Sequence, residues 1–274
     1  MADPLSISTG IVSLVVPALH GARLLLTDVH KIIDAPEAIG RLGEDVDSVY
    51  ANLTVLQNIE APVWDSLGTV VAEHAKATIT SCKLACDTIR LDIQQWTGTS
   101  PGENVSWRDR VTVGFFKEHH LRAASSQMQT HKLTLGSLVG TATLYSSLRG
   151  SHLTEDLRSG IVSQQNCTVA AIESIQTQVA VVERSLAEVR SSSSESSANE
   201  EDVDMEAAIG QIEELMEVLQ SSQTLLRELL SKYQTKDIEK VCAANRPTQI
   251  TFGRNYRGMQ MGINHGSITW NSDR

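Results

Sequence analysis

The sequence predicts an all-α fold: a helical bundle with a long α-hairpin arm, followed by a flexible, β-prone C-terminal tail. Residues that favour helices dominate the composition, with only 4% aromatic residues and six prolines in 274 positions. Apolar residues recur at three- and four-residue spacing over most of the chain, which is the period of an amphipathic helix. An acidic, serine-rich stretch between two long helical patterns predicts the hairpin.

Charge and cysteine content argue against several classes of protein. The formal net charge is −10 and no block of clustered lysine and arginine is present, so we do not expect nucleic-acid binding. Four scattered cysteines are too few for a disulfide framework at this length. The first residues, Met1-Ala2-Asp3, lack the positive region of a secretory signal. We therefore expect a protein that is cytoplasmic at rest.

The first helix is predicted to begin at Asp3-Pro4, with the aspartate as N-cap and the proline in the first turn. The chain is then uncharged from Leu5 to Leu19 and stays largely apolar as far as Leu26. Because apolar side chains lie on nearly all sides, this helix must be buried, either in a bundle or in a membrane.

Two interpretations of this first segment remain open. In one it is the buried first helix of a bundle, kinked at Pro17. In the other it is membrane-active, since the length to Leu26 reaches the roughly 20 residues that span a bilayer, although it then includes His20 and Arg23. The residues predicted for the membrane-active helix are Leu5, Ile7, Ile11, Val12, Leu14, Val15, Val16 and Leu19.

The next two helices are predicted from their apolar stripes. One opens at Pro36-Glu37 and runs to about Glu60, and the other starts at Pro62 and ends near Trp96. The first stripe comprises Ile39, Leu42, Val46, Val49, Leu53 and Leu56. The second comprises Leu67, Val71, His74, Ala75, Thr78, Cys82, Ala85 and Ile89.

Two longer helices follow. Ser106 is predicted to cap a helix that is broken around Gly114 and continues over residues 117–149. The next helix is predicted over residues 154–190. Its apolar positions are Leu157, Ile161, Val169, Ile172, Ile175, Val179, Val182, Leu186 and Val189.

The end of the helical region is predicted to be the hairpin. Residues 190–204 are acidic and low in complexity, so we expect them to loop out between two antiparallel helices. The second of these helices is predicted over residues 205–241. Residues 1–244 are therefore assigned to one helical domain that contains this loop, and residues 245–274 to a separate motif.

The segment from Phe252 to Trp270 is nearly symmetric about Gln260. Methionines flank this glutamine on both sides, and glycines stand two residues out. In an extended strand the methionines share one face and the glutamine lies on the other. Copies of such a strand can stack as cross-β, with the glutamine amides in a ladder at ~4.8 Å spacing. No proline interrupts residues 248–274, so no ladder donor is missing.

A family resemblance is present at these residues. The spacing Asn255-x-x-Gly258-x-Gln260-x-Gly262-x-Asn264 resembles the pseudo-palindromic amyloid motif of fungal cell-death proteins, which is similar to the RHIM of animal necroptosis proteins. The core here reads Met-Gln-Met-Gly, with methionine where the RHIM has β-branched residues. The amyloid core that the resemblance implies comprises Phe252, Asn255, Gly258, Met259, Gln260, Met261, Gly262, Ile263, Asn264, Gly266 and Ile268.

A second resemblance covers roughly residues 1–240. The HeLo-like (fungal STAND N-terminal) domain is similar to three segments of this chain: ADPLSISTGIVSLVVPALHGARLLL, GFFKEHHLRA and ATLYSSLR. Such domains either precede the nucleotide-binding module of NOD-like receptors or stand alone before an amyloid motif. The chain contains no GxxxxGK[S/T] pattern, so it resembles the stand-alone executioner, the HELLP type.

The two resemblances together imply a regulated-cell-death executioner. Its prion-like tail would assemble on the matching motif of an upstream NLR (STAND) receptor, and its N-terminal helix would then permeabilise the plasma membrane. The implied partners are further copies of the chain, that receptor and plasma-membrane lipids after activation. The alternative is an adaptor or scaffold without lytic activity, and a third possibility is a structural coiled-coil protein with an unstructured tail.

No pattern in the chain points to an enzyme. Residues 136–140 (GSLVG) place the serine one position too early for a nucleophile elbow. The adjacent histidines in residues 118–120 point about 100° apart on a helix and do not easily hold one ion. Cys82 and Cys86 share a helix face, where small buried thiols are more expected than half a metal site. We therefore predict no enzymatic activity, no cofactor and no metal.

Overall fold

The computed structural model describes residues 4–33, 37–97, 105–106, 115–150, 154–193 and 201–244. Eight helices and one pair of two-residue strands lie within these ranges, which confirms the predicted all-α bundle. In chain order the elements are α1 (Pro4–His30), β1 (Ile32–Ile33), α2 (Glu37–Gln57), α3 (Ala61–Leu67), α4 (Thr69–Thr97), β2 (Val105–Ser106), α5 (Phe115–Gly150), α6 (Glu155–Ser193), α7 (Glu201–Ser231) and α8 (Thr235–Ala244). The predicted C-terminal motif, residues 245–274, lies outside the described residues.

All eight helices contribute to one hydrophobic core. The predicted stripe of α2 is confirmed in full, because all six of its apolar positions are completely buried. The three- and four-residue spacing places these side chains on one face of the helix, and that face packs against α1 and α5. The same spacing positions the buried residues of α4 and α7.

α1 and α4 lie side by side and run in the same direction. Gly10 is next to Lys76 near the start of both helices, and Asp28 is next to Arg90 further along. The intervening helices α2 and α3 return the chain to the starting end. β1 and β2, which follow α1 and α4 respectively, pair in parallel, with Ile32 opposite Val105.

The prediction of one continuous helix from Pro62 to Trp96 is wrong, because the helix is interrupted at Gly68. This glycine has φ = 89°, a left-handed conformation that residues with a Cβ rarely adopt. Its N–H donates to the Trp64 carbonyl at 2.9 Å, which ends α3, and its own carbonyl accepts from Ala72 N–H in the first turn of α4. The apolar stripe continues across the break, which is why the spacing did not reveal it.

The α-hairpin is confirmed as α6 and α7, but its predicted loop is too long at both ends. Residues 190–193 still belong to α6 and residues 201–204 already belong to α7. Both helices also pack against α5, so the hairpin lies along the bundle.

The prediction that the second hairpin helix continues to Val241 is also wrong. α7 ends at Ser231, and α8 begins after a short elbow at residues 232–234. The elbow is closed by backbone bonds between residues three apart, as when Lys232 N–H donates to the Leu229 carbonyl at 3.0 Å. The Tyr145 hydroxyl of α5 donates to the Lys232 carbonyl at 2.7 Å, which fixes the bend from outside the helix.

The start of α5 differs slightly from its prediction. The helix begins at Phe115, two residues before the predicted position. Ser106, the predicted cap, lies in β2, where its register partner is Ile33. Residues 107–114, which include the predicted break at Gly114, lie outside the described residues.

Candidate functional site

The structure distributes the predicted membrane-active residues of α1 over both sides of the helix. Ile11 and Val15 are completely buried in the bundle core. Leu14 and Leu19 are partly buried against that core, Val12 is half-buried, and Val16 is 49% exposed. Leu5 and Ile7 belong to α1, but their side chains lie outside the described residues.

The buried face of α1 continues beyond the residues that the sequence analysis singled out. Ala18, Ala22 and Leu25 are completely buried, and Val29 is nearly so. These positions extend the three- and four-residue spacing that begins at Ile11, so one stripe packs into the bundle along nearly the whole helix. The helix continues through Pro17, which lies among its half-buried positions.

Gly21 allows α1 to approach α4 closely. A Cβ atom added at Gly21 would lie 3.6 Å from the Cβ of Cys86 and 3.3 Å from the Oδ1 of Asp87. On the other side of α1, Val29 lies against Gly43 of α2, where an added Cβ would be 3.2 Å from the valine Cγ1. Because neither glycine has a side chain, α1 packs closely against both α2 and α4.

A partly buried ionic cluster connects the C-terminal end of α1 to α4. The Asp28 carboxylate accepts hydrogen bonds from Arg90 Nε at 2.8 Å and from Gln94 Nε2 at 2.9 Å, both through Oδ2. Lys31 Nζ lies 3.3 Å from its Oδ1. Burial opposes ionisation of Asp28, but the hydrogen bonds from Arg90, Gln94 and Lys31 outweigh burial and lower the pKa of this carboxyl.

No pattern in the sequence predicted this cluster. Asp28 is the one acidic residue within α1, and an acid in an otherwise apolar helix requires a partner when the helix is buried. That observation could have marked Asp28, but no spacing rule identifies Arg90, which lies 62 positions further along the chain.

Hydroxyl groups on the outer face of α1 form hydrogen bonds within the helix itself. Ser13 Oγ donates to the Gly10 carbonyl at 2.8 Å, and Thr27 Oγ1 donates to the Arg23 carbonyl at 2.9 Å. Such bonds do not depend on water or on another helix, so they persist wherever α1 is placed.

α1 is the one helix in the described part of the chain that is long and apolar enough to cross a membrane. The qualifying segment, Thr9–His30, has 22 residues and a mean hydropathy of 1.6. At 1.5 Å per residue it is about 33 Å long, close to the roughly 30 Å of a bilayer's hydrocarbon core. Only 39% of its most apolar window is buried inside the bundle, so α1 is covered on one face and open on the other.

Among the described residues, the remaining candidates do not form a second site. All eleven predicted amyloid-core residues lie outside the described part of the chain. His120 of α5 lies 2.7 Å from Gln211 of α7, measured from its Nδ1 to the glutamine Nε2. Cys82 and Cys86 are buried, and their mutual contact, together with burial, raises the pKa of the Cys82 thiol. Within the described residues, no group of three or more His, Cys, Asp or Glu side chains could hold a metal ion.

Comparison with known protein families identifies a similarity over most of the chain. Residues 2–214 match a family described as pigment biosynthesis cluster protein PigL N-terminal. No curated protein and no solved structure matches the chain. The matched range begins before α1 and ends within α7. It therefore includes the whole interface between α1 and α4, which we call the α1–α4 seam.

Proposed function

The chain belongs to the PigL N-terminal family, which is the HeLo-like family, and on that basis we propose that it is a membrane-acting executioner of regulated cell death. In this proposal α1 rests in the bundle and acts on the plasma membrane after it is released. Assembly of the C-terminal motif into a cross-β fibre is the trigger. The protein is then cytoplasmic at rest and located at the plasma membrane after activation.

The observation that supports this function is the position of α1. A helix of membrane-spanning length and hydropathy packs on one side of the bundle with its other face open. In a bilayer the apolar residues of both faces would be covered, because lipid surrounds the helix. An exposed apolar residue such as Val16 gains from that transfer, whereas Ile11 and Val15 exchange one apolar environment for another.

Simple magnitudes indicate that α1 does not leave the bundle without help. Moving α1 from the bundle into water would cost roughly 1.5–3 kcal/mol for each large apolar side chain of its buried stripe, until lipid covers these side chains again. In a membrane, Arg23 and Asp28 each oppose insertion by about 2.5–3.5 kcal/mol at the helix centre, and by less near an end. Both residues lie in the C-terminal half of the span, where their side chains can reach the headgroups. Release therefore requires an additional source of free energy.

In the proposal, the assembly of residues 245–274 into a fibre supplies this additional free energy. A receptor with a matching motif seeds the fibre, and further copies of the chain add to it. Bundles tethered on one fibre have a local concentration that can reach about millimolar. Several released α1 helices can then enter the bilayer together, and their small and hydroxyl residues suit contact between helices.

An adaptor or scaffold without lytic activity is the second candidate. The observation in its favour is the fit of α1, whose buried stripe is part of the common core and whose Asp28 is bonded to Arg90 and Gln94. A helix held in this way can simply remain in the bundle while the tail joins a signalling focus.

Dye leakage from liposomes separates the two candidates. Full-length protein is mixed with vesicles that contain anionic lipid and is seeded with preformed fibres of a peptide of residues 248–274. We expect fibres and leakage together. The variant Gln260→Lys should lose both, because a charge at the centre of the ladder prevents stacking, whereas Gln220→Lys on the exposed face of α7 should keep both.

The outcomes have distinct meanings. Fibres without leakage would reject the executioner and support the adaptor. Soluble protein that never responds to seeds would reject both candidates, since each depends on the C-terminal motif.

A further inference from the structure

A cleft of about 390 Å³ lies between α4 and α7, with His131 of α5 among its lining residues. His131 is completely buried, and neither Nδ1 nor Nε2 has a hydrogen-bond partner among the described residues. A neutral imidazole has one donor and one acceptor, and leaving such groups unpaired in a protein interior is costly. The cleft therefore borders a buried imidazole that the described residues leave unpaired.

The other lining residues define what fits there. Glu214 and Glu217 of α7 contribute exposed carboxylates, and Ser81 and Ser221 contribute hydroxyls. Leu84 of α4, which is 56% exposed, provides an apolar surface. The described residues that line the cleft include no lysine or arginine to neutralise the two carboxylates. A cationic side chain with an apolar stem matches this combination, and an arginine also presents several N–H donors.

The C-terminal segment of this chain has the complementary charge. Residues 245–274 contain four arginines and a single aspartate, whereas the whole chain has a formal net charge of −10. Two of these arginines, Arg254 and Arg257, lie close to the predicted amyloid core.

The segment is long enough to reach the cleft. From Val218 in the cleft to the end of α7 is about 20 Å of helix, and α8 adds about 15 Å. The elbow at residues 232–234 adds at most about 10 Å, so Ala244, the last residue of α8, is no further than roughly 45 Å from the cleft. Because the elbow is a closed turn, the actual distance is shorter, and the thirteen residues from 245 to 257, which extend to about 43 Å, are enough for Arg257 to reach the cleft.

We propose that the α4–α7 cleft holds an arginine of residues 245–274 in the resting chain, so that the segment docks on its own bundle. The carboxylates of Glu214 and Glu217 attract the guanidinium, and Leu84 covers its stem. Docking would keep the segment from pairing with other copies of the chain. This regulatory role rests on the proposed function. The contact itself requires neither fibres nor membranes.

Photo-crosslinking in the soluble full-length chain tests this contact directly. The variant Leu84→p-benzoylphenylalanine is irradiated and its crosslinked peptides are identified by mass spectrometry. Val162→p-benzoylphenylalanine is the control, since Val162 is equally exposed but lies on α6, away from the cleft. We expect Leu84-site crosslinks within one chain to residues 245–274, and none of these from the Val162 site.

Charge removal then tests the chemistry of the contact. Glu214→Gln with Glu217→Gln should lower the crosslink yield by about threefold to tenfold, as should raising NaCl from about 0.05 M to about 0.5 M. Glu173→Gln with Glu183→Gln changes the net charge equally on exposed α6 positions and should leave the yield unchanged. Leu84 crosslinks that join two chains, that reach only residues 1–244, or that persist after the cleft carboxylates are removed would overturn the proposal. Because the readout uses soluble protein, its failure is distinguishable from a failure of fibre formation or leakage.

Discussion

Asp28 is the residue on which the resting position of α1 most depends. Its carboxylate is only 14% exposed and bonds to two side chains of α4. Replacing it with asparagine leaves Arg90 without its charged partner in a partly buried position. We expect Asp28→Asn to lower the free energy of unfolding at pH 7 by about 1–3 kcal/mol, measured by urea denaturation. Asp47→Asn, at an exposed position of α2, should change it little.

The pH dependence of the Asp28 effect follows from the direction of its pKa shift. The pKa of Asp28 in the folded chain is below the ordinary value of 3.8, so the folded state favours the carboxylate. The stabilisation is therefore fully present above pH 3.8 and is lost as the pH falls through the lower, folded-state pKa. The difference between the native protein and Asp28→Asn should shrink over that acidic window. A difference that is constant with pH would contradict the ionic role.

His131 gives a second prediction at the scale of one residue. Burial lowers its pKa from 6.5 to about 4. Between those values the unfolded chain binds a proton that the folded chain does not, so stability falls as the pH drops. We expect this residue to make the protein about 2 kcal/mol less stable at pH 5 than at pH 7. His131→Leu should remove that part of the pH dependence, measured by urea denaturation at both pH values.

A buried residue without a titratable group provides the control for this prediction. Leu135→Ala, on the same helix as His131, should lower the free energy of unfolding by the same amount at both pH values. The free energy of unfolding of His131→Leu could instead depend on pH as strongly as that of the native protein. That result would contradict the prediction, because the imidazole would then become protonated without loss of the fold.

At the scale of helices, the α1–α4 seam depends on the absence of a side chain at Gly21. A valine there would push against Cys86 and Asp87, so Gly21→Val should lower the free energy of unfolding by about 1–3 kcal/mol. At Gly10 an added Cβ would meet only the flexible end of Lys76. Gly10→Ala should therefore raise stability by about 0.5–1 kcal/mol through its higher helix propensity. Thermal and urea unfolding of both variants measure the contrast, and equal effects would contradict the close-packed seam.

The apolar period was sufficient to predict most helices and their buried faces. All six stripe residues of α2 are buried, as are seven of the eight predicted for the third helix, with His74 half-buried. The interruption at Gly68 was not predictable in this way, because a single glycine is compatible with a helix. Its positive φ does not change the spacing of the apolar residues on either side. The α7–α8 elbow contains neither glycine nor proline and is fixed by Tyr145 from another helix.

The candidate site was predictable only in part. The length and hydropathy of α1 are properties of one continuous segment, so the sequence contains them. Which face is buried, and that Asp28 bonds to Arg90 and Gln94, depends on how distant helices pack. The same is true of His131, whose burial between helices has no local signal.

At the scale of the whole molecule, α1 shares one core with the other seven helices. Its departure would therefore uncover apolar surfaces of α2 and α4 and destabilise the bundle as a unit. This explains why the proposed release needs assembly of many chains. In the proposed mechanism, α1 must separate from α4 before the protein acts on a membrane.

A reversible covalent link between α1 and α4 tests whether this separation is required. A Cβ at position 21 would lie 3.6 Å from the Cys86 Cβ, close to the ~3.8 Å typical of disulfides. The variant Gly21→Cys is oxidised, the bond to Cys86 is verified by mass spectrometry, and dye leakage from seeded liposomes is measured before and after reduction. The double variant Gly21→Cys, Cys86→Ser is the control that cannot form this bond.

We expect the oxidised protein to form fibres but release no dye, reduction to restore leakage, and the control to leak under both conditions. Undiminished leakage from fully oxidised protein would show that α1 need not leave α4 for the membrane to be permeabilised.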